Sequence, residues 1–538
     1  MRTTKPLVLL AGLCLPVLAP VAARPQAHSG TGHPAPVSQL GQVHFPTSCT
    51  PAAQPAVEKG VALLHSFQYT EAELTFADAA KADPRCAMAR WGMAMARYHQ
   101  LWDFPQPDTL KAARSDIEQA QKIGVRTERE RGYIAAAAAF FEDNSVLTHA
   151  DRTKAYSESL AKLHAQAPDD AEASQFYALS LIALGAIEDI EKMDNLARAI
   201  AILNPIFAEQ PNSPGAAHYL IHATDVPELA AQGLPAARAY AKIAPDSSHA
   251  IHMPSHIFVR LGLWQETIDS NIAASASAAH ATEMHRGESH YQTHAMDFLN
   301  YAYLQRGQEA KARGVAGDSL TVVGASDEEK LDQQAQLLAC SLMELHRWSE
   351  AAALPIPKIR SLWLDSTYRT RAIGAARTGD LRGAQKNIRE LRKIVARRAA
   401  SERQEGYKVP AGESYDLLIT GAWLAFAQGK TAQALDEMRA AAVREEAHSK
   451  GYFGPPAREM LADMLFEAKR PREALAEYKA ALARTPNRFD SLYGAGLAAE
   501  ASGELSAARE YFSLLLENCS ASADRPELAQ ARALLAAK

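Results

Sequence analysis

A spacing of 34 residues recurs near the end of this chain, and it constrains the fold more than any other feature. Ala474, Tyr478 and Ala481 are followed 34 residues later by Ala508, Phe512 and Leu515. Within each trio the residues stand four and then three apart, so each trio marks one apolar face of a helix. A second regularity is broader. A glycine is followed five residues on by a small residue at Gly379 and Ala384, Gly429 and Ala434, Gly503 and Ala508, Gly262 and Thr267, and Gly307 and Ala312. Such a glycine ends one helix in a left-handed conformation, and the small residue lets the next helix pack close against it. Near the start, Gly60, Leu64, Ala72, Phe76, Ala79 and Pro84 keep the same frame. A pair of helices of this size cannot bury its own apolar face, but a stack of such pairs can. The 538 residues exceed what one compact core sustains, and a stack escapes that limit. Strand-like alternation is absent, as are a P-loop, a GxGxxG turn and a GxSxG elbow, so nucleotide-binding α/β folds fit poorly.

These residues resemble the tetratricopeptide repeat (TPR) family, closely at 56–85 and 455–520 and with a longer, looser period between. The resemblance implies an all-α fold, a right-handed α-solenoid of TPR-like helical hairpins whose first helices line a concave groove. It also implies that a partner protein or peptide can lie in that groove, and that Pro526–Lys538 is a capping helix. From 214 to 310 the chain is similar to a narrower group, exported bacterial TPR proteins with His-rich blocks such as HYLIHATD and HYQTHAMDF. No activity comes with that likeness.

The divisions expected are a signal peptide at 1–23, a flexible arm at 24–50, TPR-like repeats at 51–213, His-rich repeats at 214–330, and C-terminal repeats with the cap at 331–538. Arg2 and Lys5 precede an apolar run from Pro6 to Val21, and Val21 and Ala23 suit a cleavage site, so the mature protein is expected to be periplasmic or secreted. Leu13 before Cys14 argues against a lipid anchor. No later run approaches the ~20 apolar residues of a membrane span. The net charge of -5 gives no argument for nucleic acid as a partner. In an oxidising compartment Cys49 and Cys86 could staple the arm to the first hairpin, while Cys340 and Cys519 remain.

Nine of the 18 histidines lie in the 77 residues from His218 to His294, where even scatter would place 18 × 77/538, between two and three. His218 and His222 are four apart, as are His252 and His256, and His290 and His294, with His249 three before His252. Four-residue pairs share a helix face and can offer two imidazoles to one metal ion. Each pair falls on a first helix of a successive hairpin, so three pairs are expected to converge on one wall of the groove. Pro254 interrupts the middle block, either kinking the helix or starting it. Asp225 is a candidate oxygen ligand or a group that orients a histidine, and also a simple helix-end residue before Pro227. Asp297 is a similar orienting candidate. Imidazole suits copper, zinc and iron, and nearby Met253, Met284 and Met296 either favour copper or fill the core.

The candidate metal set is therefore His218, His222, Asp225, His249, His252, His256, His290 and His294, with His280 and His285 peripheral. There is no HExxH, and Glu283 and Glu288 stand at no motif spacing, so enzyme, metal-dependent sensor and metal carrier all remain open. Ser255 beside His256 points away from it on a helix and reads as a helix start. Arg382, Lys386, Arg389, Arg392, Lys393, Arg397, Arg398 and Arg403 form a positive helix face, solvated or docked by an acidic partner. Trp91, Tyr98, His99, Trp102 and Phe104 read as core or groove rim. The rival to the metal reading is a non-catalytic scaffold that grips a partner protein or peptide along the concave face.

Overall fold

The structure, a computed structural model, describes residues 39–536 apart from 102–103, 144–145, 188–191, 286–288, 360, 362–363, 449–450, 452 and 524. The expected signal peptide, Trp102 and Glu288 lie outside the described residues. Among the described residues there is no strand, and helices follow one another in antiparallel pairs from Gln54–His65 with Tyr69–Ala82 to Phe489–Ala501 with Leu505–Asn518 and a last helix, Glu527–Ala536. The chain is an all-α solenoid of TPR-like hairpins. No helix among the described residues is long and apolar enough to cross a membrane.

The pairing follows from interlocked large and small residues. The Phe76 ring fills the space beside Gly60, where a Cβ would sit 2.6 Å from it, and presses equally on Gly92 of the next helix. Tyr478 against Gly494 and Phe512 against Gly496 repeat the device at the other end. All five turn glycines named above adopt positive φ, from 65° at Gly262 to 83° at Gly379. Phe67, His346 and Lys469 do the same at φ 54°, 51° and 62°, each in the same turn position and each followed five residues on by Ala72, Ala351 or Ala474. The repeat is thus more regular than its glycines alone reveal.

One apolar core runs from Leu40 to Phe258. The described part of the expected flexible arm belongs to it. Phe45 is fully buried against Trp91 and Tyr133, and Gln42 donates to the Asn212 carbonyl. A disulfide joins Cys49 to Cys86. The arm's final residues are therefore a docked strap, because Leu40 and Phe45 supply apolar anchors that its Pro- and Gly-rich composition conceals.

The solenoid curls until distant hairpin turns meet. Trp264 Nε1 donates to the Asn487 carbonyl at 2.8 Å, and Ser520 N donates to the Arg306 carbonyl at 3.0 Å. Ala150 N likewise donates to the Glu405 carbonyl, and Phe104 packs on Tyr407. At the junction Arg488, fully buried, binds Glu344, Glu459 and the Tyr301 hydroxyl at 2.7–2.9 Å. The His-rich hairpins take part in this junction through Trp264 and Tyr301.

Candidate metal centre

Three successive first helices carry the histidines: Pro214–Thr224, the segment Ser248–His252 followed by Pro254–Arg260, and Ser289–Gln305. Ser213 caps the first, its hydroxyl accepting from Ala216 N, and Ser247 caps the second in the same way. Pro254 occupies the first turn of its own short helix, and Met253 keeps helical dihedrals, so the chain is divided there but runs on in nearly one direction. His249, His252 and His256 therefore all project from one rod.

The expected three pairs are regrouped as two triads. In each, ring nitrogens of three residues lie within 4.8 Å of one another: His218, His222 and His249 in one, His252, His256 and His294 in the other. The middle rod serves both, giving His249 to the first and His252 with His256 to the second. Within the triads, ring centroids stand 4.5–5.7 Å apart. Between them, His222 to His256 and His249 to His252 are each 6.2 Å. Neither triad includes His290, Asp225 or any other carboxylate. His290 sits in the first turn of its helix, about 6 Å along the axis from His294 at 1.5 Å per residue, with its ring on Tyr291.

Hydrogen bonds fix three of the imidazoles. His218 Nδ1 meets the His65 carbonyl at 2.6 Å, an acceptor only, so Nδ1 carries the proton and Nε2 presents a lone pair. His256 Nδ1 donates to the Asp225 carboxylate at 3.0 Å. His252 Nδ1 meets Asn271 Oδ1 at 2.7 Å, and Asn271 Nδ2 is committed to the Thr267 carbonyl at 2.7 Å, which settles the amide's orientation. His252 Nε2 and His256 Nε2 stand 3.0 Å apart. In the first triad His218 Nε2 and His249 Nε2 are 3.1 Å apart. Among the described residues His222 Nε2 and His294 Nδ1 are buried without a hydrogen-bond partner.

Asp225, at the C-cap of its helix, stands outside both triads and is bonded to His256 and Arg260. It accepts from His256 through one oxygen and from Arg260 Nε through the other, at 3.0 Å each. Burial pushes its carboxyl upward, but Arg260 and His256 outweigh that and hold it below the usual carboxylate range. Five of the six triad imidazoles are driven toward the neutral form. Burial, aided by His256, lowers His222 to about 3, and burial likewise holds His218, His249, His252 and His294 well below 6.5.

A phenylalanine covers each triad. Phe67 lies 4.4–5.5 Å from the rings of His218, His222 and His249, and Phe298 lies 4.8–5.2 Å from those of His252, His256 and His294. Phe67 comes from the turn of the first hairpin, and its carbonyl accepts from the Tyr291 hydroxyl. Phe453, from the C-terminal half, backs Phe298 at 5.0 Å, and Arg260 reaches the Gly451 carbonyl beside it. The sequence pointed to neither phenylalanine, nor to Asn271 or His65. The one available signal was Phe67 standing in a turn position where glycine recurs.

The remaining candidates fall elsewhere. Met253 and Met296 are core residues, and Met284 is half exposed. His280, Glu283 and His285 are exposed at the end of helix Trp264–Glu283. Asp297 accepts from Gln333 Nε2 at 2.7 Å. Ser255 donates to the His252 carbonyl at 2.7 Å. The basic helix Leu381–Gln404 is exposed along most of its charged face, while Arg398 turns inward to Asp365. Trp91 and Tyr98 are core, and His99 stacks on Tyr69.

No family model matches the chain, and no curated protein matches it. Solved structures that align with it include the human IFIT1 dimer with PPP-AAAA (13% identity, 88% of this chain and 95% of that one, TM-score 0.34). Another is the APC/C hetero-tetramer Cut9–Hcn1 (13% identity, 90% of each chain, TM-score 0.34). Naa15/Naa10 bound to HypK-THB aligns at 12% identity over 90% of this chain and 91% of that one, with TM-score 0.22. Scores this low lend no weight to any statement about the histidine site.

Proposed function

We propose that this protein is an exported solenoid that holds two transition-metal ions, one in each histidine triad. The observation that carries the reading is the approach of His252 Nε2 and His256 Nε2 to 3.0 Å, with both Nδ1 atoms already bonded, to Asn271 and Asp225. As neutral rings the two are acceptors that repel, and a cation between them turns that repulsion into ligation. The surroundings support the same reading. A metal-ligating histidine typically donates its other N–H to a carboxylate, amide or carbonyl, as His256, His252 and His218 do here to Asp225, Asn271 and the His65 carbonyl. Three imidazoles leave a coordination position free for a small molecule, which suits catalysis, sensing or transport better than a closed structural site. Neutral nitrogen ligands suit copper, zinc and iron.

The competing reading is a scaffold that binds a partner through the concave face. Burial of the triads favours a small ligand over a peptide at this place, since His218, His249 and His252 are at most 3% exposed. Equilibrium dialysis of the untagged full chain against copper, zinc and iron separates the two. The metal reading expects two equivalents of one metal, with His222→Ala and His256→Ala each losing one and keeping their helicity. A folded wild-type protein that retains none of the three metals leaves the scaffold.

A further inference from the structure

The charge of the site narrows both the metal and its ligand. Imidazole ligates a metal as a neutral group, so six histidines bring no negative charge, and the Asp225 carboxylate beside them is already paired with Arg260. Two divalent ions would place four positive charges in a pocket walled by Phe67 and Phe298, with no anionic ligand from the protein. Burying uncompensated charge of that size is strongly unfavourable. Monovalent copper halves it, and imidazole is among copper's preferred ligands. The spacing adds a second constraint. Rings of different triads approach to 6.2 Å, against as much as 5.7 Å within a triad, so ions in the two triads would be near neighbours able to share one small bridging molecule.

We infer, resting on the metal reading above, that the triads hold a coupled pair of copper ions whose ligand is dioxygen. Each Cu(I) gives up one electron and becomes Cu(II), and the two electrons reduce dioxygen to a dianion held between the ions. The O–O double bond becomes a single bond, no proton moves, and no further reductant is needed. The total charge is two positive before the step and two positive after it. The pocket thus undergoes a two-electron change without an ion or a proton crossing its aromatic walls. The free position at each triad is where the two ends of the bridging molecule bind. Phe67 and Phe298, each touching all three rings of its triad, limit the space to a molecule of this size and keep bulk water from the reduced metal.

The test uses the full chain loaded with Cu(I) without air and then exposed to dioxygen, with uptake, copper content and paramagnetism measured together. The expected result is one dioxygen taken up per two copper ions, copper retained, and an oxidised form silent in electron paramagnetic resonance because the two Cu(II) spins couple through the bridge. His222→Ala is expected to keep the copper of the second triad, to take up no dioxygen reversibly, and to give the resonance of an isolated Cu(II) on oxidation. A wild-type protein that binds copper but takes up no dioxygen, or shows two isolated Cu(II) signals, overturns the inference and leaves the metal reading intact. So does a chain that takes zinc and refuses copper. Failure to bind any metal overturns both.

Discussion

Single residues in this molecule do their work mainly by orienting others. Asp225 is held by Arg260 and in turn holds His256. Asp225→Asn removes the charge and allows the amide to turn its NH2 toward Nδ1, so a loss of 10–100-fold in affinity of the second triad is expected, with the first triad nearly unchanged. Calorimetric titration of the two sites measures it. Asp297 shows a different residue-scale effect. Burial pushes its carboxyl up to about 7. A carboxyl whose pKa rises on folding adds stability below its unfolded value, near 3.8, and loses that contribution as pH climbs to the folded value near 7. Asp297→Asn keeps an oxygen for Gln333 and is expected to melt higher than wild type at pH 8 but not at pH 4. At this scale the sequence disclosed the histidine cluster but not the groups that hold its rings. The nine clustered histidines stood out by count, whereas Asn271 and the His65 carbonyl are joined to them only through space, the latter across 153 residues.

At the scale of helices and turns, most of the molecule was legible. The glycine-to-small-residue interval predicted turns that do adopt positive φ, and the 34-residue trios predicted faces that are buried. Turns that lack glycine escaped, because Phe67, His346 and Lys469 take the same conformation against their own preference. At an exposed turn this preference can be measured directly. Lys469→Gly is expected to raise unfolding free energy by up to about 1 kcal/mol, and Gly503→Ala, where no neighbour crowds a Cβ, to lower it by about 1 kcal/mol. Urea titration of both variants checks the pair. Phe67 tolerates the conformation for another reason, since its buried ring covers three imidazoles. The regrouping of pairs into triads also belongs to this scale. A spacing of four identifies a shared helix face but not the height at which neighbouring helices meet it, so His249 joined the first triad and His290 stayed outside the second.

The whole molecule adds what no repeat contains. A simple solenoid contacts only its nearest neighbours, yet here turns more than 180 residues apart are bonded, and the first hairpin and the loop at 451–453 both reach the histidine hairpins. No local pattern announces such contacts, because repeat spacing specifies each step of the curl but not where its accumulated turns bring the ends. Arg488 is the centre of that closure. Arg488→Ala would strand Glu344 and Glu459 without their buried partner, and a loss of about 3–5 kcal/mol is expected by chemical denaturation. Long-range contacts also reach the triads, through Phe453 on Phe298 and Arg260 on the Gly451 carbonyl, so the proposed metal centre depends on the curl. Anomalous X-ray scattering from crystals of the full-length protein, purified without a tag, tests that claim most directly. The account predicts two peaks of one transition metal, one ringed by His218, His222 and His249 and the other by His252, His256 and His294. Ordered triads with no peak at either, in crystals soaked with copper, zinc or iron, would contradict it.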